Sequence, residues 1–159
     1  MIQRIQSVYL LAACLVCILC MTQPLGFYIS NQGGQMAVMN NLFLRYTPQI
    51  AIGGLDGTCF NPAPMFVVLL IVSSLSLLDI LLFRRRALQM RICNFCIILL
   101  VLWYGLYAYF IYSLGNGLEA SFRPHWTAAL PFCSLVLLYL AFRGILKDEM
   151  LVKSLERLR

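Results

Sequence analysis

The reactive side chains of this chain are mostly sulfur: seven cysteines against a single histidine. Cys14, Cys17 and Cys20 recur at every third position, and Cys93-Asn94-Phe95-Cys96 forms a Cys-x-x-Cys pair. On helices this spacing gathers thiols on one face, as a metal or a redox-active dithiol requires. Asp79 is the one ionisable residue well inside an apolar stretch. Charge in a bilayer is costly, so such a carboxylate is by default a candidate for proton or cation coupling. Ser73, Ser76 and Asp79 fall on one helical face, and Asn94 enters the next apolar stretch at similar depth. The four form a candidate intramembrane polar cluster.

Each signal has a plainer rival. Buried cysteine behaves as a small hydrophobe. Counted from the ends of the apolar runs at 1.5 Å per residue, Cys17 lies about 15 Å in, whereas Cys93 and Cys96 lie within about 6 Å of the same edge. Only Cys14 would then approach the pair, and the sole histidine, His125, belongs to the opposite side. The outer segments offer one cysteine, Cys59, with Cys133 the nearest other, too little for a thiol relay facing an oxidising compartment. Asp79 is followed by Arg84, Arg85, Arg86 and Arg91, any of which could neutralise it, and Ser73 and Ser76 would serve as hydrogen-bonding glue between helices. No Ser-His-Asp set, phosphate-cradling glycine loop, HExxH or carboxylate pair is present. The expectation is a protein without catalysis, cofactor or metal.

These residues are carried by four apolar stretches. The 159 residues are 62% hydrophobic and 11% charged, far from the roughly half apolar and quarter charged of soluble domains. A membrane helix needs about 20 mostly apolar residues. Residues 65–83, behind Pro62 and Pro64, 92–114 and 126–142 qualify; 6–25 is weaker, frayed by Gln6, Ser7, Thr22, Gln23 and Pro24. Leu11-Ala12-Ala13-Cys14 looks like a lipobox, but the apolar run continues past it through Leu15, Val16, Ile18 and Leu19, so an uncleaved helix is expected. The reading is one integral domain over 1–159: an all-α membrane protein built as a four-transmembrane-helix bundle.

Ten of the twelve Lys and Arg residues lie on one side of these stretches: Arg4, Arg84, Arg85, Arg86, Arg91, Arg143, Lys147, Lys153, Arg157 and Arg159. Basic residues resist translocation, which places both termini in the cytoplasm. Phe27, Tyr28, Tyr107, Tyr109, Phe110, Tyr112, Phe122 and Trp126 gather near the outer boundary, the interface that aromatics favour. The net charge of +6 therefore points to anionic inner-leaflet lipids rather than to nucleic acid, for which no basic helix face or aromatic platform exists outside the spans. The first outer segment, 30–61, carries turn signals and two short alternating runs, 42–46 and 49–52, which suggest a small hairpin. The second, 115–125, reads as a connector. The tail, 143–159, continues the fourth span as a helix with Ile145, Leu151, Val152, Leu155 and Leu158 along one side.

Three segments carry a resemblance: Met1-Ile-Gln-Arg-Ile-Gln-Ser-Val-Tyr-Leu10, Phe83-Arg-Arg-Arg-Ala-Leu-Gln-Met-Arg-Ile-Cys93 and Lys147-Asp-Glu-Met-Leu-Val-Lys-Ser-Leu-Glu-Arg-Leu-Arg159. Together they resemble an uncharacterised family of small bacterial four-span membrane proteins. The resemblance spans nearly the whole chain and implies that architecture and an inner-membrane address, with no activity attached. All three segments lie on the cytoplasmic side. The functional expectation is an accessory or assembly subunit that docks a membrane or cytoplasmic protein, or itself, through Arg84, Arg85, Arg86, Arg91, Lys147, Asp148, Glu149, Lys153, Arg157 and Arg159. The alternatives are a small proton- or ion-coupled transporter using Asp79, and a membrane thiol or metal protein.

Overall fold

The computed structural model describes residues 2–30, 35–42, 44–46, 62–82, 86–118 and 120–157. Four helices make up most of it: α1 (Ile2–Thr22), α2 (Ala63–Leu81), α3 (Arg86–Leu118) and α4 (Leu130–Arg157). Helix α1 stops just before Pro24, which cannot continue a helix. Pro64 sits in the first turn of α2, where its missing N–H costs nothing, and Met65 N–H donates to the Pro62 carbonyl at 2.9 Å. Pro131 acts similarly. A short 3-10 turn over Trp126–Ala129 precedes it, and α4 begins there and runs without a break into the charged tail. The expected continuation of the fourth span as a helix is thus observed through Arg157.

Helix α1 packs against α2 and α4, and α3 packs against the same two. Their inward faces carry small, sulfur-bearing and hydroxyl side chains: Ala13, Cys14, Cys17 and Cys20 of α1, Ser73 and Ser76 of α2, Cys93 and Cys96 of α3, Ser134 and Ala141 of α4. The outward faces are large and greasy. Val8, Leu11, Leu15, Leu70, Leu81, Phe95, Ile98, Val101, Leu102, Phe132 and Leu140 are all exposed. A water-soluble protein does not leave apolar surface so contiguous. Lipid is as apolar as leucine, so helices in a bilayer meet through small and polar residues and turn their large aliphatics outward. Three stretches, 63–81, 88–113 and 126–150, are long and apolar enough to cross a membrane, and Gln6–Thr22 adds a shorter apolar run. This is a membrane protein.

The all-α expectation needs correction. The segments after α1 and after α3 both contribute to a four-stranded antiparallel sheet in the order β3-β2-β1-β4, formed by β1 (Gly26–Ser30), β2 (Gln35–Met39), β3 (Leu44–Tyr46) and β4 (Ala120–Pro124). The hairpin lies earlier than the sequence suggested: β1 pairs with β2 directly after α1, and only β3 falls within the expected run 42–46. The other expected run, 49–52, lies outside the described residues. Residues 115–125 are no connector, because β4 pairs along β1 from Gly26 opposite Pro124 to Ser30 opposite Ala120. Gly26 lies so close to the Phe122 ring and the Arg123 carbonyl that a Cβ there would fall 2.9 Å from that carbonyl oxygen. Tyr28, Ala37 and Met39 belong to the same buried core as Leu10, Met65, Leu100 and Trp103 of the helices.

Candidate functional site

Asp79 lies on the inward face of α2 with 1% of its surface exposed, and among the described residues neither carboxylate oxygen has a hydrogen-bond partner. Ser73 and Ser76 share its face, as their spacing requires, and both are buried. Both hydroxyls donate within their own helix. Ser73 Oγ donates to the Leu70 carbonyl at 2.9 Å and Ser76 Oγ to the Val72 carbonyl at 2.7 Å, both within α2. Asn94 does not join the cluster; it is exposed on α3, whereas its neighbours Cys93 and Cys96 are buried. Arg91 is exposed. Arg84 and Arg85 lie outside the described residues, as does the side chain of Arg86.

The thiols provide the contacts between helices that the serines were expected to make. Cys14 Sγ reaches the Ser73 carbonyl at 3.5 Å, Cys17 Sγ the Ser134 hydroxyl at 3.4 Å and Cys93 Sγ the Leu138 carbonyl at 3.2 Å. Ser134 Oγ in turn donates to the Ala13 carbonyl at 3.3 Å. Weak donors suit this role, because small side chains let two backbones approach while satisfying a carbonyl. Cys17 also lies within electrostatic range of Cys96, which the depth count from sequence had ruled out. That count started α3 at Ile92, but the helix begins at Arg86. Cys96 is then about 15 Å from its helix start at 1.5 Å per residue, rather than within about 6 Å of the edge. The six described cysteines, Cys14, Cys17, Cys20, Cys93, Cys96 and Cys133, are free thiols. Among the described residues no three His, Cys, Asp or Glu side chains are placed to hold a metal ion.

The expected docking residues divide. Lys147 is exposed, and so is Arg143 one turn before it. Asp148 points inward instead: it is buried, and Gln6 Nε2 donates to its Oδ2 at 2.9 Å. This bond joins the first turns of α1 to the tail of α4. Gly144 makes room for it, since a Cβ there would sit 3.0 Å from Gln6 Cγ. Glu149 is half-buried. Arg159 and the side chains of Lys153 and Arg157 lie outside the described residues. Gln6, taken from sequence as part of a fraying helix end, is therefore one side of a buried contact. Its one visible signal was a polar side chain at helical spacing from buried Ala13 and Leu10.

At the other end the sheet closes over the helices. Leu25 N–H donates to the Met39 carbonyl at 2.7 Å, and His125 N–H donates to the Leu25 carbonyl at 2.9 Å. The hydroxyl of Thr127 donates to the Pro24 carbonyl. Asn41 Nδ2 donates to the Cys20 carbonyl at 2.7 Å, capping the open end of α1, and Tyr104 OH donates to the Ala128 carbonyl at 3.0 Å. Trp103 and Tyr107 stack with ring centroids 5.4 Å apart. The Trp103 indole N–H, the Tyr107 hydroxyl and Asn41 Oδ1 are buried without hydrogen-bond partners among the described residues. Burial, with a lesser contribution from Tyr107, pushes the Tyr28 phenol well above the ordinary tyrosine range. Tyr28, Tyr107 and His125 stood out in the sequence as aromatics or as the sole histidine, but not as members of one assembly, because their partners lie far away along the chain.

None of the curated proteins compared with this chain matches it. A family model does match, over residues 2–158, and its description is a domain of unknown function. That span contains nearly all of the three segments that carried the resemblance to an uncharacterised family. The chain belongs to the DUF4293 family.

Proposed function

We propose that this chain is a non-catalytic, multi-pass protein of the bacterial inner membrane that acts as an accessory or assembly subunit. In this reading all four helices cross the bilayer, both termini lie in the cytoplasm, and the sheet faces outward. Helix α1, at 21 residues, is about 31 Å long, close to the roughly 30 Å of hydrocarbon to be crossed. The observation that carries the proposal is the continuity of α4. It extends beyond the apolar stretch 126–150 to Arg157 and is held to α1 through Gln6 and Asp148. A charged tail fixed in this way offers a defined surface, with Arg143 and Lys147 exposed along it. Anionic headgroups are its nearest ligands, and a protein partner or a second copy would dock beside them.

Two measurements test this. Reporter tags at the two ends are expected to signal the cytoplasm together; opposite compartments would overturn the orientation. Quantitative crosslinking in native membranes, with and without residues 147–159, is expected to lose defined protein neighbours on truncation. An unchanged neighbour set would overturn the docking role. A proton- or ion-coupled transporter remains the second reading, favoured by the unpartnered burial of Asp79. It predicts a flux abolished by Asp79→Asn, and a flux untouched by that change would dismiss it.

A further inference from the structure

We propose that Asp79 is an intramembrane proton-binding site, a carboxyl held between α2 and α3 that carries its proton in the resting protein. The geometry is that of an acid with nothing among the described residues to offset a charge: 1% exposure and two oxygens without a hydrogen-bond partner. From α3 it is faced by the thiols of Cys93 and Cys96. From α1 the inward groups are Cys14 and Cys17, with Tyr9 partly buried against the core. On α2 itself Ser76 has committed its proton to the Val72 carbonyl. On α4, Asp148 is engaged with Gln6. No Lys or Arg among the described residues pairs with Asp79. An isolated buried carboxylate neutralises rather than ionises, and hydrocarbon brings no water to relieve the charge. The neutral acid needs no counter-ion.

Other occupants fit less well. Hard cations such as calcium take about six to eight oxygen ligands, whereas this site pairs one carboxylate with sulfur, a poor ligand for them. A soft metal would need a set of thiols and carboxylates that the described residues do not assemble. Loss of the proton would leave a charge between two packed helices, so release is linked to a parting of α2 from α3. This proposal stands apart from the docking role, and either can fail without the other.

The test is infrared spectroscopy of the full chain in proteoliposomes at neutral pH, comparing wild type, Asp79→Asn and Asp79→Glu. The expected wild-type spectrum contains a protonated-carboxyl carbonyl band that is lost in Asp79→Asn, kept at a shifted position in Asp79→Glu, and unmoved by added sodium or potassium. Should Asp79→Asn fail to fold, carbon-13 aspartate labelling of wild type and Asp79→Glu isolates the same carboxyl. Carboxylate bands assigned to Asp79, with no acid carbonyl, would overturn the proposal. So would an acid band that disappears when sodium or potassium is added, which would make the site one for that cation.

Discussion

The two ends of the helices are closed by different means. At the sheet end, closure is mostly backbone: three antiparallel pairings bring the segments after α1 and α3 together, and Leu25 and His125 extend the ladder onto the helix ends. At the tail end, among the described residues, it depends on particular side chains, with Gln6 reaching Asp148 over Gly144. Backbone ladders tolerate most substitutions but not a lost space between strands, whereas a side-chain pair depends on its two residues and little else. The contrast makes one end robust to surface change and the other tunable. A tunable contact suits the end proposed to meet a partner.

The sharpest way to break this comparison is Gly26→Val. Its side chain would collide with Phe122 and the Arg123 carbonyl, and overpacking of this kind costs about 3 kcal/mol. Unfolding in mild detergent should show the loss, together with faster amide exchange in β1 and β4; wild-type exchange would mean the strands are not closely paired. Next is Asn41→Ala, which leaves the Cys20 carbonyl without its donor. An unsatisfied buried carbonyl costs about 2 kcal/mol, and an unchanged melting temperature would argue against the α1 cap.

At the tail end Gln6→Ala should cost about 1.5 kcal/mol, the lower figure for a hydrogen bond to a charged group. Gly144→Ala should cost less, because the atoms it meets belong to a flexible side chain. In the Gln6→Ala background Gly144→Ala should become neutral or stabilising, as alanine is the better helix former by about 1 kcal/mol. A double-mutant cycle measures this coupling, and strict additivity would mean that the two residues do not meet. The smallest effect is at alkaline pH. Burial raises the Tyr28 phenol above its unfolded value, so the unfolded chain releases the proton first. Stability should therefore hold below about pH 10 and fall as pH rises past it. Tyr28→Phe should flatten that decline, and an unaltered alkaline slope would place the phenol in contact with water.

The helices were largely legible in the sequence, and the sheet was not. Residues 65–83 and 92–114 correspond to α2 and α3, because twenty or so consecutive apolar residues have few alternatives to a membrane helix. Strand β4 was missed because the alternation in Ala120-Ser-Phe-Arg-Pro124 lasts only four residues before a proline, and its partner β1 lies across two helices in sequence. The polar cluster was half legible. Helical spacing placed Ser73, Ser76 and Asp79 on one face, but it could not orient α3, so Asn94 was assigned to the interior and turned out exposed. Asp148 was grouped with the basic face because charge suggests water, yet it is buried against Gln6.

By itself the sequence determined that this chain is built of apolar helices, and where its basic residues fall along it. Both follow from composition and order, which act locally on each segment's cost of leaving water. Only the tertiary structure decided which faces meet. It showed that thiols and the Ser134 hydroxyl bridge the helices, that the distant segments after α1 and α3 form one sheet, and that Asp79 has no hydrogen-bond partner among the described residues. Those outcomes depend on rotations and distances between elements far apart in the chain, which no local pattern of residues encodes.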